Sequence, residues 1–278
     1  MTKKTLKNIW FYARVIALVI VLLFPFIIML SISLKATSET IGFPPTIIPR
    51  SWTLEHFRDI FNPKIFPYLR YLGNSLYIAL IVSCLVVFLG ILGGYALSKL
   101  RFFGRGAMNE MFFLVYMFSG ILLIVPLYKM MVTAGLRNTR EAVILCMIVQ
   151  TLPTAIYMTR SYFDTIPREL EEAGRVDGLS RMGCIFRIVV PLSLSGLVSV
   201  FVYAFMISWN DVLFASIFID SPALLTIPIG LNSLFNTPDY IWGRMMAASL
   251  VTSLPVVVMY GISQHMIRGG RVEGGLKG

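Results

Sequence analysis

Charged residues and cysteines are both scarce in this chain. Of its 278 residues, 14% are charged and 57% are hydrophobic, whereas soluble domains average about 45–50% apolar residues. The three cysteines include no Cys-x-x-Cys pair, which excludes a disulfide framework and a typical zinc site. A soluble catalytic domain therefore fits the composition poorly.

A phosphate-binding loop is also absent. Two glycine pairs have the spacing of G-x-x-x-x-G-K-[ST], but Cys184 and Gly275 stand where each would need lysine. We expect no ATP hydrolysis by this chain alone, and we assign it no cofactor of its own.

The hydrophobic residues are concentrated in six charge-free runs. A helix of about 20 apolar residues spans a bilayer, and buried helices of soluble proteins rarely stay uncharged for so long. We therefore predict an all-α integral membrane protein whose residues 1–278 form one domain. The predicted spans are about 12–34, 75–98, 110–130, 142–160, 190–210 and 244–266.

A seventh charge-free run, residues 221–238, contains three prolines and two asparagines. Prolines and amides at that density suit a loop or a short shielded helix better than a lipid-facing span.

The distribution of positive charge predicts the orientation. No cleavage site follows the first apolar run, so we expect it to be retained as a helix. With six spans both termini share one side, which holds fifteen of the 24 lysines and arginines and leaves nine on the other. Because positive loops stay cytoplasmic, both termini should be cytoplasmic. The net charge of +10 then favours contact with anionic lipid, and no motif indicates nucleic-acid binding.

A polar segment, residues 164–190, separates the fourth and fifth predicted spans. Nine charged residues lie from Asp164 to Arg187, both included, and burying them in lipid would cost on the order of 25 kcal/mol. Pro167 suits a helix start, Gly178 a helix end and Ser180 the cap of a second helix running on into the fifth span. Such a segment is a lever for a soluble partner, although its charges alone fit a solvated loop equally well.

The spacing within this segment resembles the EAA signature of ATP-binding-cassette (ABC) importer membrane subunits. That signature reads E-A-A, three residues, G, nine residues, I, one residue, L-P. All spacings match here, and two positions depart from it, with glycine for the second alanine and valine for leucine. The signature positions are Glu172, Ala173, Gly174, Gly178, Ile188, Val190 and Pro191, of which Gly174 and Val190 are the two departures.

Three further stretches are similar to maltose-type carbohydrate importers: SKLRFFGRG from Ser98, SWNDVLFASIF from Ser208 and the ending GGRVEGGLKG. The resemblance implies a type I ABC importer permease in a bacterial inner membrane, carrying a sugar or sugar derivative. It implies four kinds of partner: a second homologous permease, two ATPases that bind ATP and magnesium, an external solute-binding protein and lipid. It also implies ATPase contacts by two groups, Glu171, Glu172, Ala173, Gly174, Asp177, Gly178 and Pro191 in the polar segment and Gly275, Lys277 and Gly278 in the cytoplasmic tail, residues 268–278.

Candidate substrate contacts come from the fifth span. Tyr203, Trp209 and Asn210 offer the aromatic faces and hydrogen-bonding groups that sugars favour. Asn210 and Asp211 are also explained as a helix-end cap or an interface anchor. Gly90 and Gly94 permit close helix contact, within this chain or with a partner.

Two other functions were weighed. An autonomous secondary transporter usually carries internal repeats and broken central helices, and we find no convincing repeat. An intramembrane serine protease would use Ser119 and His265, but Met117 stands where its motif needs glycine, and His265 lies at the far end of its span.

Overall fold

The computed structural model describes residues 3–117, 120–234 and 241–274. These residues form helices and loops without a β-sheet, apart from one isolated bridge between Lys35 and Trp52. The helices are α1 Lys3–Ser33, α2 Thr37–Thr40, α3 Glu55–Phe61, α4 Tyr68–Lys99, α5 Arg105–Met117, α6 Gly120–Thr133, α7 Arg140–Asp164, α8 Arg168–Val176, α9 Arg181–Cys184, α10 Val190–Leu192, α11 Leu194–Trp209, α12 Leu213–Phe218, α13 Ile227–Ser233 and α14 Trp242–Gly274.

Four of these helices, α1, α4, α7 and α14, are long and apolar enough to cross a membrane by length and composition. They cover the first, second, fourth and sixth predicted spans. The third predicted span corresponds to α5 and the shorter apolar α6, and residues 118 and 119 between them lie outside the described part. The fifth corresponds to α11. The count of six spans therefore stays a prediction.

The approach to α11 differs from the sequence prediction. We expected one helix to run on through Pro191, but α9 leads into a π-helical turn, Ile185–Val189, and then into α10. The stretch 181–192 is bent by 84° relative to α11. Pro191 has no N–H to donate within the helix, and helices bend sharply at prolines and π-turns. The fifth helix therefore begins at Leu194.

The described part of the run at 221–238 consists of short helices and loop, as its prolines predict. A short 3-10 helix, Pro222–Leu224, precedes the seven-residue α13, and residues 235–240 lie outside the described part. Ser75 Oγ accepts a hydrogen bond from the N–H of Ile227 at 2.8 Å, and the Asn74 amide donates to the carbonyls of Ala223 and Leu225 at 3.0 Å each. Polar groups of α4 thus satisfy backbone N–H and C=O groups that this irregular segment leaves without helical partners.

The chain divides into two compact units, one within Met1–Leu69 and Gly230–Leu254 and the other within Arg70–Ile229 and Pro255–Gly278. In the first unit, Arg244 donates to Asp59 Oδ2 at 2.7 Å, and the buried His56 ring lies within hydrogen-bonding distance of the Lys35 carbonyl at 2.9 Å. The second unit contains the main apolar core, which is contributed by α4, α6, α7, α11 and α12. The polar segment, residues 164–190, belongs to this second unit.

The GxxxG motif of α4 makes its contact within the chain. A Cβ atom at Gly94 would lie 2.9 Å from Thr159 Cβ and 3.0 Å from the backbone nitrogen of Arg160, and one at Gly90 would lie 3.3 Å from Thr159 Oγ1. The missing side chains let α4 approach α7 closely. In the orientation predicted above, this contact involves the cytoplasmic half of α4. It holds that half beside α7, the helix that leads into the polar segment.

Candidate functional site

The polar segment folds as two short helices joined by a turn, as its sequence predicts. Gly178 has φ +88°, a left-handed conformation that glycine adopts without steric cost. Ser180 Oγ accepts a hydrogen bond from the N–H of Gly183 at 3.1 Å and caps α9. Pro167 lies one residue earlier than expected, at the N-cap of α8 rather than inside it. Local chemistry therefore sets the shape of this segment.

One face of the segment is open to a partner. Five of the predicted coupling residues are exposed: Glu172, Ala173, Asp177, Gly178 and Pro191. Glu172 lines a cavity of about 140 Å³ together with Tyr95, Lys99, Leu100, Glu171, Arg168, Arg175 and Arg181. This cavity combines carboxylates with several cations, so it can receive polar and charged side chains of either sign.

The other two predicted coupling residues point into the chain. Glu171 is 8% exposed; its Oε2 accepts a hydrogen bond from Tyr95 Oη at 2.8 Å, and its Oε1 lies 3.6 Å from Lys99 Nζ. The second distance is that of an ion pair without a hydrogen bond. A buried carboxylate needs such partners because desolvation penalises an isolated charge. Glu171 therefore binds helix α4, and its contacts lie inside this chain.

Gly174 is buried against another residue of the same signature. A Cβ atom at this position would meet the Cδ1 atom of Ile188 and would lie 3.3 Å from Leu179 Cδ1. Both atoms are the ends of flexible side chains, so an alanine here would require the Ile188 side chain to shift. Glycine lets Ile188 pack against α8 as it does here.

A second cavity, of about 170 Å³, lies among α5, α6, α7 and α11. It is lined by Val115, Gly120, Leu123, Val149, Gln150, Thr154, Tyr203 and Ile207. Three of these side chains, Gln150, Thr154 and Tyr203, carry hydrogen-bonding groups. Polar side chains on membrane-spanning helices usually face the protein interior or a water-filled space and often mark a substrate pathway. Of the predicted substrate contacts, Tyr203 has the surroundings of a binding residue.

The other two substrate candidates have structural contacts. Trp209 is 3% exposed and stacks on Phe205 with ring centroids 5.6 Å apart. Asn210 ends α11, and its side-chain amide donates to the Met206 carbonyl at 2.8 Å. Asp211 accepts hydrogen bonds from the N–H groups of Phe214 and Ala215 at 3.2 and 2.9 Å. Asp211 thus binds backbone N–H groups in the first turn of α12 rather than the end of α11.

Comparison with known proteins agrees with this geometry. Residues 86–271 match the family model described as "Binding-protein-dependent transport system inner membrane component". The chain belongs to this family. It is a multi-pass inner membrane protein, a permease of the ABC transporter class, and in this class ATP hydrolysis belongs to a separate subunit.

Curated relatives cover the whole chain. This permease is 58% identical over 276 residues, 99% of each chain, to the inner membrane ABC transporter permease protein YcjP of Escherichia coli. It is 35% identical to the sulfoquinovosyl glycerol transport system permease protein SmoH of Agrobacterium fabrum, over 92% of this chain and 89% of the relative. It is 32% identical to the trehalose/maltose transport system permease protein MalG of Thermococcus litoralis, over 100% of both.

Solved structures share the fold. A bacterial ABC transporter that imports the acidic polysaccharide alginate matches this permease with a TM-score of 0.80 at 18% identity, over 95% of this chain and 98% of the other. The methionine transporter MetNI in an inward-facing conformation matches with a TM-score of 0.53 at 18% identity, over 73% and 98%. The permease therefore has the all-α fold of type I ABC importers.

Sequence reasoning missed Tyr95 and Lys99, the partners of Glu171. Tyr95 is 76 residues from Glu171 along the chain, so no local spacing indicates the pair. The structure describes helix α14 as far as Gly274. The predicted tail contacts, Gly275, Lys277 and Gly278, lie outside the described part. Among the described residues no group of three or more His, Cys, Asp or Glu side chains is arranged to hold a metal ion.

Proposed function

We propose that this permease moves a sugar or sugar derivative across the inner membrane as one of two homologous membrane subunits. An external solute-binding protein delivers the sugar, and two ATPase subunits that bind ATP and magnesium drive the transport. The relatives' names support the substrate class, since they specify trehalose, maltose and sulfoquinovosyl glycerol. The positive-inside charge distribution supports a cytoplasmic position for both termini and for residues 164–190.

The exposed face of α8 carries this proposal. Its acidic Glu172, with Ala173 and Asp177 beside it, lies on a polar segment flanked by α7 and α11. An ATPase that grips this face can displace both helices and bias the permease between inward-open and outward-open states. Glu172 serves there as the charged contact for a basic group of the ATPase. The tail, residues 268–278, provides a second contact through Gly275, Lys277 and Gly278.

The substrate passes along the polar cavity beside Tyr203. The Tyr203 phenol, the Gln150 amide and the Thr154 hydroxyl offer both donors and acceptors to sugar hydroxyls, while Leu123, Val149 and Ile207 supply apolar contact. Trp209 and Asn210 contribute by fixing the end of α11 rather than by touching the sugar. The second permease completes the pathway.

A charge reversal at Glu172 tests the coupling role. In membranes that contain the complete transporter, Glu172→Lys should reduce transport by at least about tenfold, because like charges brought together across an interface cost several kcal/mol. The measurements are sugar uptake, retention of the ATPase when this chain is purified, and the amount of this chain in the membrane.

Glu169→Lys is the matched control, since Glu169 is also exposed on α8 but lies outside the signature. We expect it to retain the ATPase and near-normal uptake. Unimpaired uptake in Glu172→Lys, or an equal loss in both variants, would contradict the assigned role of Glu172.

A further inference from the structure

The predicted cytoplasmic end of α4 is tied to the start of the polar segment by side-chain contacts. Ser98 Oγ donates to Asp164 Oδ1 at 2.6 Å. Lys99 Nζ donates to the Ile166 carbonyl at 2.5 Å and lies 3.6 Å from Glu171 Oε1. Tyr95 Oη donates to Glu171 Oε2 at 2.8 Å. We call Tyr95, Lys99 and Glu171 the α4–α8 junction.

The three junction side chains are largely buried, and they also line the cavity beside Glu172. Tyr95 is 5% and Glu171 8% exposed, and the Lys99 side chain is 6% exposed. Electrostatic attraction is stronger in such surroundings, and an unpartnered buried charge is costly. Tyr95 also packs in an apolar cluster with Ile91, Phe163, Ile166, Ile185, Val189 and Leu197, which joins α4 to α7, the π-helical turn and α11. Separating α8 from α4 would break the contacts of Glu171 with Tyr95 and Lys99.

Helix α8 consequently has two faces with different neighbours. Glu172 and Ala173 are exposed on the side proposed to meet the ATPase, while Glu171 and Gly174 are buried within the chain. A displacement of α8 reaches α7 and the bent stretch ahead of α11 through the chain, and it reaches α4 only indirectly, through the packing of Gly90 and Gly94 on α7. The junction adds a route into α4, a helix far away in sequence.

We propose that Tyr95, Lys99 and Glu171 are positioning residues that make α4 move together with the polar segment when the ATPases close. This inference rests on the proposed function, because it takes the ATPase as the source of the displacement. It assigns to Glu171 a role distinct from that of Glu172: Glu172 receives the displacement and Glu171 passes it to α4.

The test measures whether α4 and α8 stay together in the complete transporter. Spin labels replace two exposed residues, Phe88 on α4 and Val176 on α8, after the three native cysteines have been replaced. The distance between the labels is measured without nucleotide and after trapping with ATP and vanadate. In the otherwise unchanged protein we expect one narrow distance distribution, the same in both states.

Tyr95→Phe and Glu171→Gln each weaken the junction. Leaving a buried charged group without its partner shifts an equilibrium by about tenfold or more, so each variant should raise the trapped population with an altered distance by about that factor. The ATPases should remain bound and hydrolyse ATP. In the double variant the population with an altered distance should be no larger than in the more affected single variant, since the effects of mutations at contacting residues are not additive.

Tyr157→Phe and Glu169→Gln are matched controls, because they make the same chemical changes on exposed side chains and should leave the distribution unchanged. An unaltered distribution in both junction variants, or strictly additive effects, would overturn the inference. Loss of the ATPase from Tyr95→Phe would also overturn it, since the junction would then serve docking. Failure of the unmodified permease to retain an ATPase would instead refute the proposed function.

Discussion

Among single residues, Glu39 organises the loop between α1 and α3. Its Oε1 accepts hydrogen bonds from Thr46 Oγ1 at 2.8 Å and from the N–H of Arg50 at 3.0 Å. Its Oε2 accepts from the N–H and the hydroxyl of Ser51 at 3.1 and 3.0 Å. These bonds, the Arg50 N–H first among them, lower the pKa of Glu39 from 4.5 to about 2, because hydrogen bonds to the charged form favour it.

The lowered pKa predicts how this loop responds to acid. The ionised Glu39 stabilises the folded loop fully above pH 4.5, and that contribution is lost as the pH falls through about 2. A carbon-detected NMR titration of the labelled Glu side chains should show one carboxyl titrating near pH 2. Glu39→Gln should remove that signal, and a titration of Glu39 at its ordinary value would show that the hydrogen bonds do not form.

Comparison of neighbouring residues in the polar segment shows how far sequence reasoning reaches. Gly178 and Ser180 act on their own backbone within a few residues, so their roles follow from residue type and position. Glu171 and Glu172 are adjacent in sequence and identical in chemistry, yet one is buried and the other exposed. What separates them is Tyr95 and Lys99 on a distant helix, and a single sequence contains no record of that contact.

Between helices, the approach of α4 to α7 depends on glycine. Gly94 lies against Thr159 and the backbone of Arg160, and backbone cannot turn aside as the end of a flexible side chain can. The motif was visible in the sequence, but the identity of the helix that fills it was not. The structure assigns it to α7, within this chain.

Gly94→Ala should therefore destabilise the permease relative to Gly73→Ala. Both changes occur within α4, so the gain in helix propensity cancels, and a Cβ atom at Gly73 would meet nothing within 4 Å. Overpacking typically costs about 1–3 kcal/mol, which should lower the thermal unfolding midpoint of Gly94→Ala in detergent while Gly73→Ala is unchanged or higher. Equal midpoints would mean that α4 does not rely on this approach to α7.

The sequence predicts that the helix is disturbed at Pro191, ahead of α11, but it does not predict how sharply the helix bends there. Pro191 has no backbone N–H to donate, yet a helix can accommodate proline with a slight kink or with a sharp turn. Here the N–H of Ser193 bonds to the carbonyls of both Val189 and Val190, and the helix direction changes by 84°. Packing of Val189 and Leu197 in one apolar cluster accompanies that turn, and such long-range packing has no local sequence signal.

At the scale of the whole molecule, the charge-free runs predicted an all-helical membrane protein because transfer of charge into lipid dominates every other energy. That argument depends on composition over about 20 residues, so it does not require knowledge of individual long-range contacts such as that between Glu171 and Tyr95. It also distinguishes poorly between transporters of different mechanism. A permease driven by partner ATPases and an autonomous secondary transporter have the same kind of apolar helices.

Reconstitution into lipid vesicles separates these two mechanisms. Vesicles would contain either this chain alone or this chain with the second permease, two ATPases and the external binding protein. Radiolabelled trehalose, maltose and sulfoquinovosyl glycerol serve as probes, because relatives are named for them. We expect uptake of a sugar only with the complete complex, with binding protein outside and ATP inside.

The physical reason is that this chain lacks the P-loop motif. In an ATP-driven permease, a shift between inward-open and outward-open states is therefore driven by differential interaction with the partner ATPases, since a conformational equilibrium moves only by such differences; in a secondary transporter an ion gradient drives it. Glu172→Lys is the matched control: it should lower uptake by the complete complex, whereas vesicles with this chain alone should take up no sugar with or without the substitution. Uptake by this chain alone under a proton or sodium gradient would contradict the ABC mechanism and favour the secondary transporter.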